Sequence, residues 1–195
     1  MLRFVLAVAG LMLVVVLSGC ATLSKVECQT GDWRGIGLSD GSHGYSSSRI
    51  EQHAEACAQH GVAPSRELYM AGYEQGLVSY CRLDRAAETG TSGGAYYQVC
   101  TGEIGLSFGR VYIAARDVYL ARSEADGIRT EIDAVTDKLT QPGLTDEVRL
   151  VLGGQLSSLQ DSLERQQDAV SREERRLRTV MADEVRRLNV LGITA

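Results

Sequence analysis

Along the second half of the chain, hydrophobic and small side chains recur in unbroken steps of three and four: Val111, Ala114, Val118, Ala121, Ala125, Ile128, Ile132, Val135 and Leu139. Such steps keep one face of a helix apolar and repeat every seven residues, the seam of a coiled coil. Thr140 to Gly143 interrupt the seam, and Thr145 followed by Asp146 and Glu147 supplies a cap and an acidic first turn for a returning helix. The return seam runs Leu152, Leu156, Leu159, Leu163, Gln166, Val170, Glu173 and Leu177. Folded about the turn, Val135 meets Leu152, Ile128 meets Leu159 and Ala121 meets Gln166, so small residues face long ones. This predicts an antiparallel helical hairpin over 111–191 with its turn near 140–145, the first arm about 40 Å long. A four-helix dimer would use the same faces, which leaves self-association open. Val180, Met181, Val185, Leu188 and Leu191 continue the return helix and are expected to pack back on what precedes the hairpin.

The first half has no such seam. Ser48 to His60 carries a serine start and Gly61 as a stop, the marks of a short helix. Pro64 and Ser65 open another, in which Tyr69, Gly72, Tyr73, Gly76, Leu77 and Tyr80 share one face. Glycines four apart on that face would let a second backbone come close. Thr89 to Gly94 reads as a loop, and Tyr96 to Cys100 as a short extended piece. Most of the 21 glycines fall within 28–110, and beyond the amino-terminal segment every aromatic residue lies between Trp33 and Tyr119. The fold class expected is mainly α: a small glycine-rich, disulfide-stapled helical module over 27–110, followed by the long coiled-coil hairpin.

Residues 1–19 read as an export signal, with Arg3 ahead of an apolar run from Phe4 to Leu17 that is short for a membrane span. Leu17, Ser18, Gly19 and Cys20 then resemble the lipobox of bacterial lipoproteins at every position. That resemblance implies cleavage before Cys20, acylation of its thiol and new amino group, and a lipidated tether over 20–26. Two or more acyl chains make a stable anchor. Ala21 is not the aspartate that signals inner-membrane retention in enteric bacteria, so the expected location is the periplasmic face of the outer membrane.

Cys28, Cys57, Cys81 and Cys100 remain, an even number in an oxidising compartment, and two disulfides are expected. Pairing Cys28 with Cys57 and Cys81 with Cys100 closes two local loops and is the connectivity favoured, with the crossed arrangements open. A rival reading makes His53, Cys57 and His60 a metal site, since their spacing puts them on one helical face. It lacks a fourth ligand and needs a reduced thiol, so no metal and no cofactor is expected.

The order Glu27-Cys28, Asp32-Trp33, Ile36-Gly37, Asp40-Gly41, Gly44, His53, Cys57, Tyr69, Gly72, Gly76-Leu77, Tyr80-Cys81, Gly90, Gly93, Tyr96 or Tyr97 and Val99-Cys100 resembles the bacterial domain of unknown function 2799, a set of envelope lipoproteins, over roughly the whole chain beyond the export signal and most specifically over residues 27–119. The resemblance implies a cysteine-bearing architecture and an envelope location. It brings no activity, cofactor or catalytic residue.

Gly37-Leu-Ser39-Asp-Gly41 matches the nucleophile elbow of hydrolases, with His43, His53 or His60 as a base for Ser39. An elbow needs a buried strand before it, and none is expected here. The near-repeat Ile104-Gly-Leu-Ser107-Phe-Gly109 suggests a shared turn or packing role instead. Asp32 and Asp40 read as caps of turns. The formal charge of -5 argues against a nucleic-acid partner. Arg172, Arg175, Arg176, Arg178, Arg186 and Arg187 are interspersed with acids and read as a solvated face. The function expected is therefore that of a lipid-anchored, non-catalytic structural or adaptor protein, held to the membrane through Cys20 and meeting an envelope protein through its hairpin. A glycan-binding module centred on Trp33 and the tyrosines is the alternative, and an envelope hydrolase comes third.

Overall fold

The computed structural model describes residues 22–194; the export signal and Cys20 lie outside the described residues. Among the described residues there are seven helices and no strand. They are α1 (Lys25–Thr30), α2 (Trp33–Ser42), α3 (Arg49–Ala58), α4 (Arg66–Tyr80), α5 (Leu83–Thr91), α6 (Gly102–Leu139) and α7 (Asp146–Val190). The mainly α class and the long carboxy-terminal helical pair are as expected. None of these helices is long and apolar enough to cross a membrane. The chain divides into two compact units after Ser79, so the segment read from composition as one module contributes to both.

In the first unit, local chemistry fixes the helix ends. Ser24 and Glu27 form a reciprocal capping box at the start of α1, and Gly31, at φ +66°, ends it in the left-handed conformation. The Asp32 side chain then accepts the Gly35 N–H to open α2. Here the structure departs from the sequence reading: Trp33–Ser42, glycine-rich and read as turns, is a helix. Its glycines are tolerated because of what lies against them. A methyl group at Gly37 or Gly41 would stand 2.0 or 2.2 Å from the Tyr69 or Tyr73 carbonyl oxygen of α4. Reciprocally, one at Gly72 or Gly76 would stand 1.9 or 2.3 Å from the Arg34 or Leu38 carbonyl oxygen of α2. Two pairs of glycines four apart thus interlock, and the close approach anticipated for Gly72 and Gly76 has α2 as its partner. Leu23, Cys28, Trp33, Ile50, Cys57, Tyr69 and Tyr73 form the core. The Cys28–Cys57 disulfide ties α1 to α3.

The second unit is built on α6 and α7, of 38 and 45 residues, or roughly 57 and 67 Å at the helical rise. Gln166 Nε2 donates to the Ala121 carbonyl at 3.1 Å, the pairing expected from the seams, while Arg176 meets Asp117 and Arg122 meets Glu174. The partner number falls on one helix as it rises on the other, so the pair is antiparallel. Val111, Ala114, Val118, Ala121, Ala125 and Val135 are buried. Leu152, Leu156, Leu159 and Leu163 are only half-buried, because two helices cannot enclose a seam by themselves. Gly143, at φ +84°, and the Thr145 cap form the turn.

At the base of this hairpin Tyr80, Leu83, Ala86, Cys100, Phe108, Val111 and Leu188 make a second core, with Val180, Met181 and Val185 packed on it. The end of the return helix therefore packs as expected, except that Leu191 is exposed. The Cys81–Cys100 disulfide joins the short link between α4 and α5 to the segment before α6. Two local expectations are corrected. Thr89 to Thr91 belong to α5, and Gly90 is buried because Ala115 and the Tyr112 carbonyl press against it. Tyr96 to Cys100 is irregular, with Gln98 at φ +55°, because no neighbouring strand is there to pair with it. The near-repeat at 104–109 has no common role with its counterpart: Gly105 abuts the Cys100 carbonyl, whereas Gly109 faces open space.

Candidate functional site

The first unit holds an open cleft of about 620 Å³, bordered by Thr22, Val26, Glu27, Asp32, Ser39, His43 and Arg49 among others. Its inner wall is a polar network drawn from three helices and the segment before them. Asp40 of α2, buried, stands at the centre. His53 Nε2 lies 2.8 Å from Asp40 Oδ2, the Tyr69 hydroxyl donates to the same oxygen at 2.8 Å, and Arg49 Nε lies 3.4 Å from Oδ1. His53 Nδ1 in turn lies 2.8 Å from Thr22 Oγ1. Burial, then the hydrogen bond to Asp40, pushes the Tyr69 hydroxyl pKa up, so this tyrosine stays a donor. Arg49 stacks over the Tyr45 ring at 4.1 Å, and its Nε is buried without a well-directed hydrogen bond.

This geometry corrects the reading of Asp40 as a turn cap: it is mid-helix, and its carboxylate is satisfied by residues far away in sequence. Asp32, by contrast, is a cap as expected. The signal for Asp40 was present, since Trp33, Gly37, Asp40, Gly41 and Gly44 recur at helical steps and place the aspartate on the packed face. Tyr69 likewise stood on a face marked by helical spacing, whereas Thr22 and Arg49 carried no comparable mark.

Of the residues singled out for chemistry, the cleft gathers Ser39, His43 and His53, but not as a nucleophile and base. Ser39 sits within α2 instead of at a strand-to-helix turn. His43 Nδ1 donates to the Ser39 carbonyl at 2.7 Å, not to its hydroxyl. His53 has both ring nitrogens engaged and is 1% exposed. Cys57, one of the three residues considered for a metal, is held in a disulfide, and no cluster able to hold a metal occurs among the described residues. Trp33 is 5% exposed in the core, and Tyr69, Tyr73 and Tyr80 are buried, so none of these rings presents a face to solvent.

The second unit contains a different polar centre. Glu184 accepts from Ser107 Oγ at 2.7 Å, from Arg110 Nη2 at 2.9 Å and from Arg187 Nε at 3.0 Å. The Arg110 guanidinium, with help from Ser107 and Arg187, holds the Glu184 pKa down to about 2. Arg187 also donates to Ser107 Oγ and to the Glu103 carbonyl, clamping the start of α6 to the end of α7. Arg176, Arg186 and Arg187 are thus paired with acids of this unit, in keeping with a mixed-charge face.

Residues 32–117 match the family described as Protein of unknown function (DUF2799). The matched segment lies inside the stretch on which the resemblance was drawn and covers α2 to the first part of α6. No curated protein and no solved structure matches the chain.

Proposed function

We propose that the protein is a lipid-anchored, non-catalytic adaptor of the bacterial envelope, fixed to the outer membrane through Cys20 and engaging an envelope protein with the tip of its hairpin. The observation that supports this is the apolar tip. Val148, Leu150 and Val151, at the start of α7, are exposed, Leu150 at 78% and Val151 at 65%. Exposed hydrophobic side chains gathered in one place mark interaction surfaces. The long two-helix arm carries them well away from the core around Phe108 and Leu188.

A photo-crosslinking residue at Leu150 or Val151, incorporated in cells and followed by mass spectrometry, tests the reading. One reproducible envelope protein is expected, and its capture should vanish when the other apolar tip residue is replaced by aspartate in a protein that still folds. Scattered products, or capture indifferent to that replacement, would remove the adaptor role.

A further inference from the structure

The segment entering the first unit is not a loose leash. Thr22 is bonded to His53, Leu23 is buried in the core, and α1 begins at Lys25. Cys20 precedes Thr22 by two residues, so about 7 Å of chain separates the expected site of acylation from a docked side chain. So short a link leaves this unit no room to stand off from the bilayer that holds the acyl chains. Thr22 is also on the border of the cleft, and Val26, on the same border, is 71% exposed.

The charges at the cleft are specific in kind. Arg49 is its single lysine or arginine among the bordering residues, steadied on Tyr45, and Asp40 is the one described carboxylate within 4 Å of it. Glu27 and Asp32 border the same opening. The Ser24 hydroxyl and amide hold the Glu27 carboxyl below its ordinary pKa. One cation among three carboxylates, Asp40, Glu27 and Asp32, is poorly matched to a purely anionic ligand. It suits a group carrying a phosphate and an ammonium together.

We propose that the cleft face of the first unit lies directly on the membrane, with Val26 in the lipid interface and the cleft receiving a phosphoethanolamine-type headgroup, its phosphate on Arg49 and its ammonium toward Glu27 and Asp32. This rests on the reading of Cys20 as acylated. Tryptophan fits the interfacial zone of a bilayer, which makes Val26→Trp a suitable reporter.

The test uses the full acylated protein in vesicles containing phospholipids with brominated acyl chains, which quench nearby tryptophan. The emission added by Val26→Trp should lose more than half its intensity, and that added by Val78→Trp, exposed in the same unit but off the cleft border, almost none. Replacing phosphatidylethanolamine by phosphatidylcholine should weaken the quenching at position 26 in the parent protein but not in Arg49→Gln, with Arg49→Lys intermediate. Free inorganic phosphate should not compete. An acylated, vesicle-bound protein in which positions 26 and 78 are quenched equally would overturn the proposal. Competition by inorganic phosphate, or indifference to the headgroup, would overturn its ligand. If mass spectrometry finds no acyl group on Cys20, the anchoring reading fails, and this proposal falls with it by a separately recognisable route.

Discussion

Glycine does opposite work in the two units. In the first, Gly37, Gly41, Gly72 and Gly76 let α2 and α4 touch backbone to backbone, and no side chain has room at any of the four. In the distal hairpin, Gly127, Gly153 and Gly154 have nothing within 4 Å of where a methyl group would stand. The same residue is therefore a packing requirement in one place and a conformational cost in the other. A small unit with few large side chains gains cohesion from close approach and a staple, while a long helical pair gains it from a repeated seam.

The sharpest way to break the comparison is a methyl group. Gly37→Ala or Gly72→Ala should destabilise the first unit by roughly 3 kcal/mol or more, since overpacking against backbone cannot be relieved by a rotamer change. Denaturant unfolding should show this as a lowered midpoint. Removing the staple of that unit, by replacing both Cys28 and Cys57 with serine, should cost about 3 to 4 kcal/mol on chain-entropy grounds. If the variant unfolds at the parental midpoint, the interlocked glycines alone hold the unit.

The hairpin base should respond to acid. Glu184 has a folded-state pKa of about 2, below its ordinary value of 4.5. Its contribution is therefore fully present above about pH 4.5 and is lost as the pH falls from there toward 2. Replacing Glu184 with glutamine should remove about 2 kcal/mol near neutral pH, a discounted figure because Arg110 and Arg187 are partly exposed. The variant should also show a flatter loss of stability across that acid window; an unchanged acid profile would mean that another carboxylate controls it. The smallest effect carries the opposite sign. Gly127→Ala should stabilise the hairpin by about 0.5 to 1 kcal/mol through helix propensity alone, and thermal unfolding would register a modest rise. A loss of stability there would reveal a contact that open space at Gly127 does not suggest.

Much of this molecule could be read before its structure. The hairpin, its turn, the contact between Ala121 and Gln166 and the cap at Thr145 all depend on residues a few positions apart or on a repeat imposed by helix geometry. The connectivity favoured for the cysteines was the one found, because both closures are short in sequence. The helix over Trp33–Ser42 was missed: the weak helix propensity of Gly35, Gly37, Ser39, Asp40, Gly41 and Ser42 outweighs a pattern only when no partner is considered, and here α4 supplies the partner. Of the cleft, Ser39, His43 and His53 were singled out, yet for chemistry that their hydrogen bonds do not support.

The sequence by itself determined where the two long helices run, which face of each is apolar, and which cysteines stand near enough along the chain to pair readily. These are consequences of periodicity and local reach. Only the tertiary structure decided that Asp40 is a buried hub, that four glycines form a crossing and that the chain divides after Ser79. Each of those outcomes joins residues from separate helices, as Thr22, Asp40, His53 and Tyr69 are joined. A buried polar group must find its partners wherever the packed backbone brings them, and no local pattern names those partners in advance.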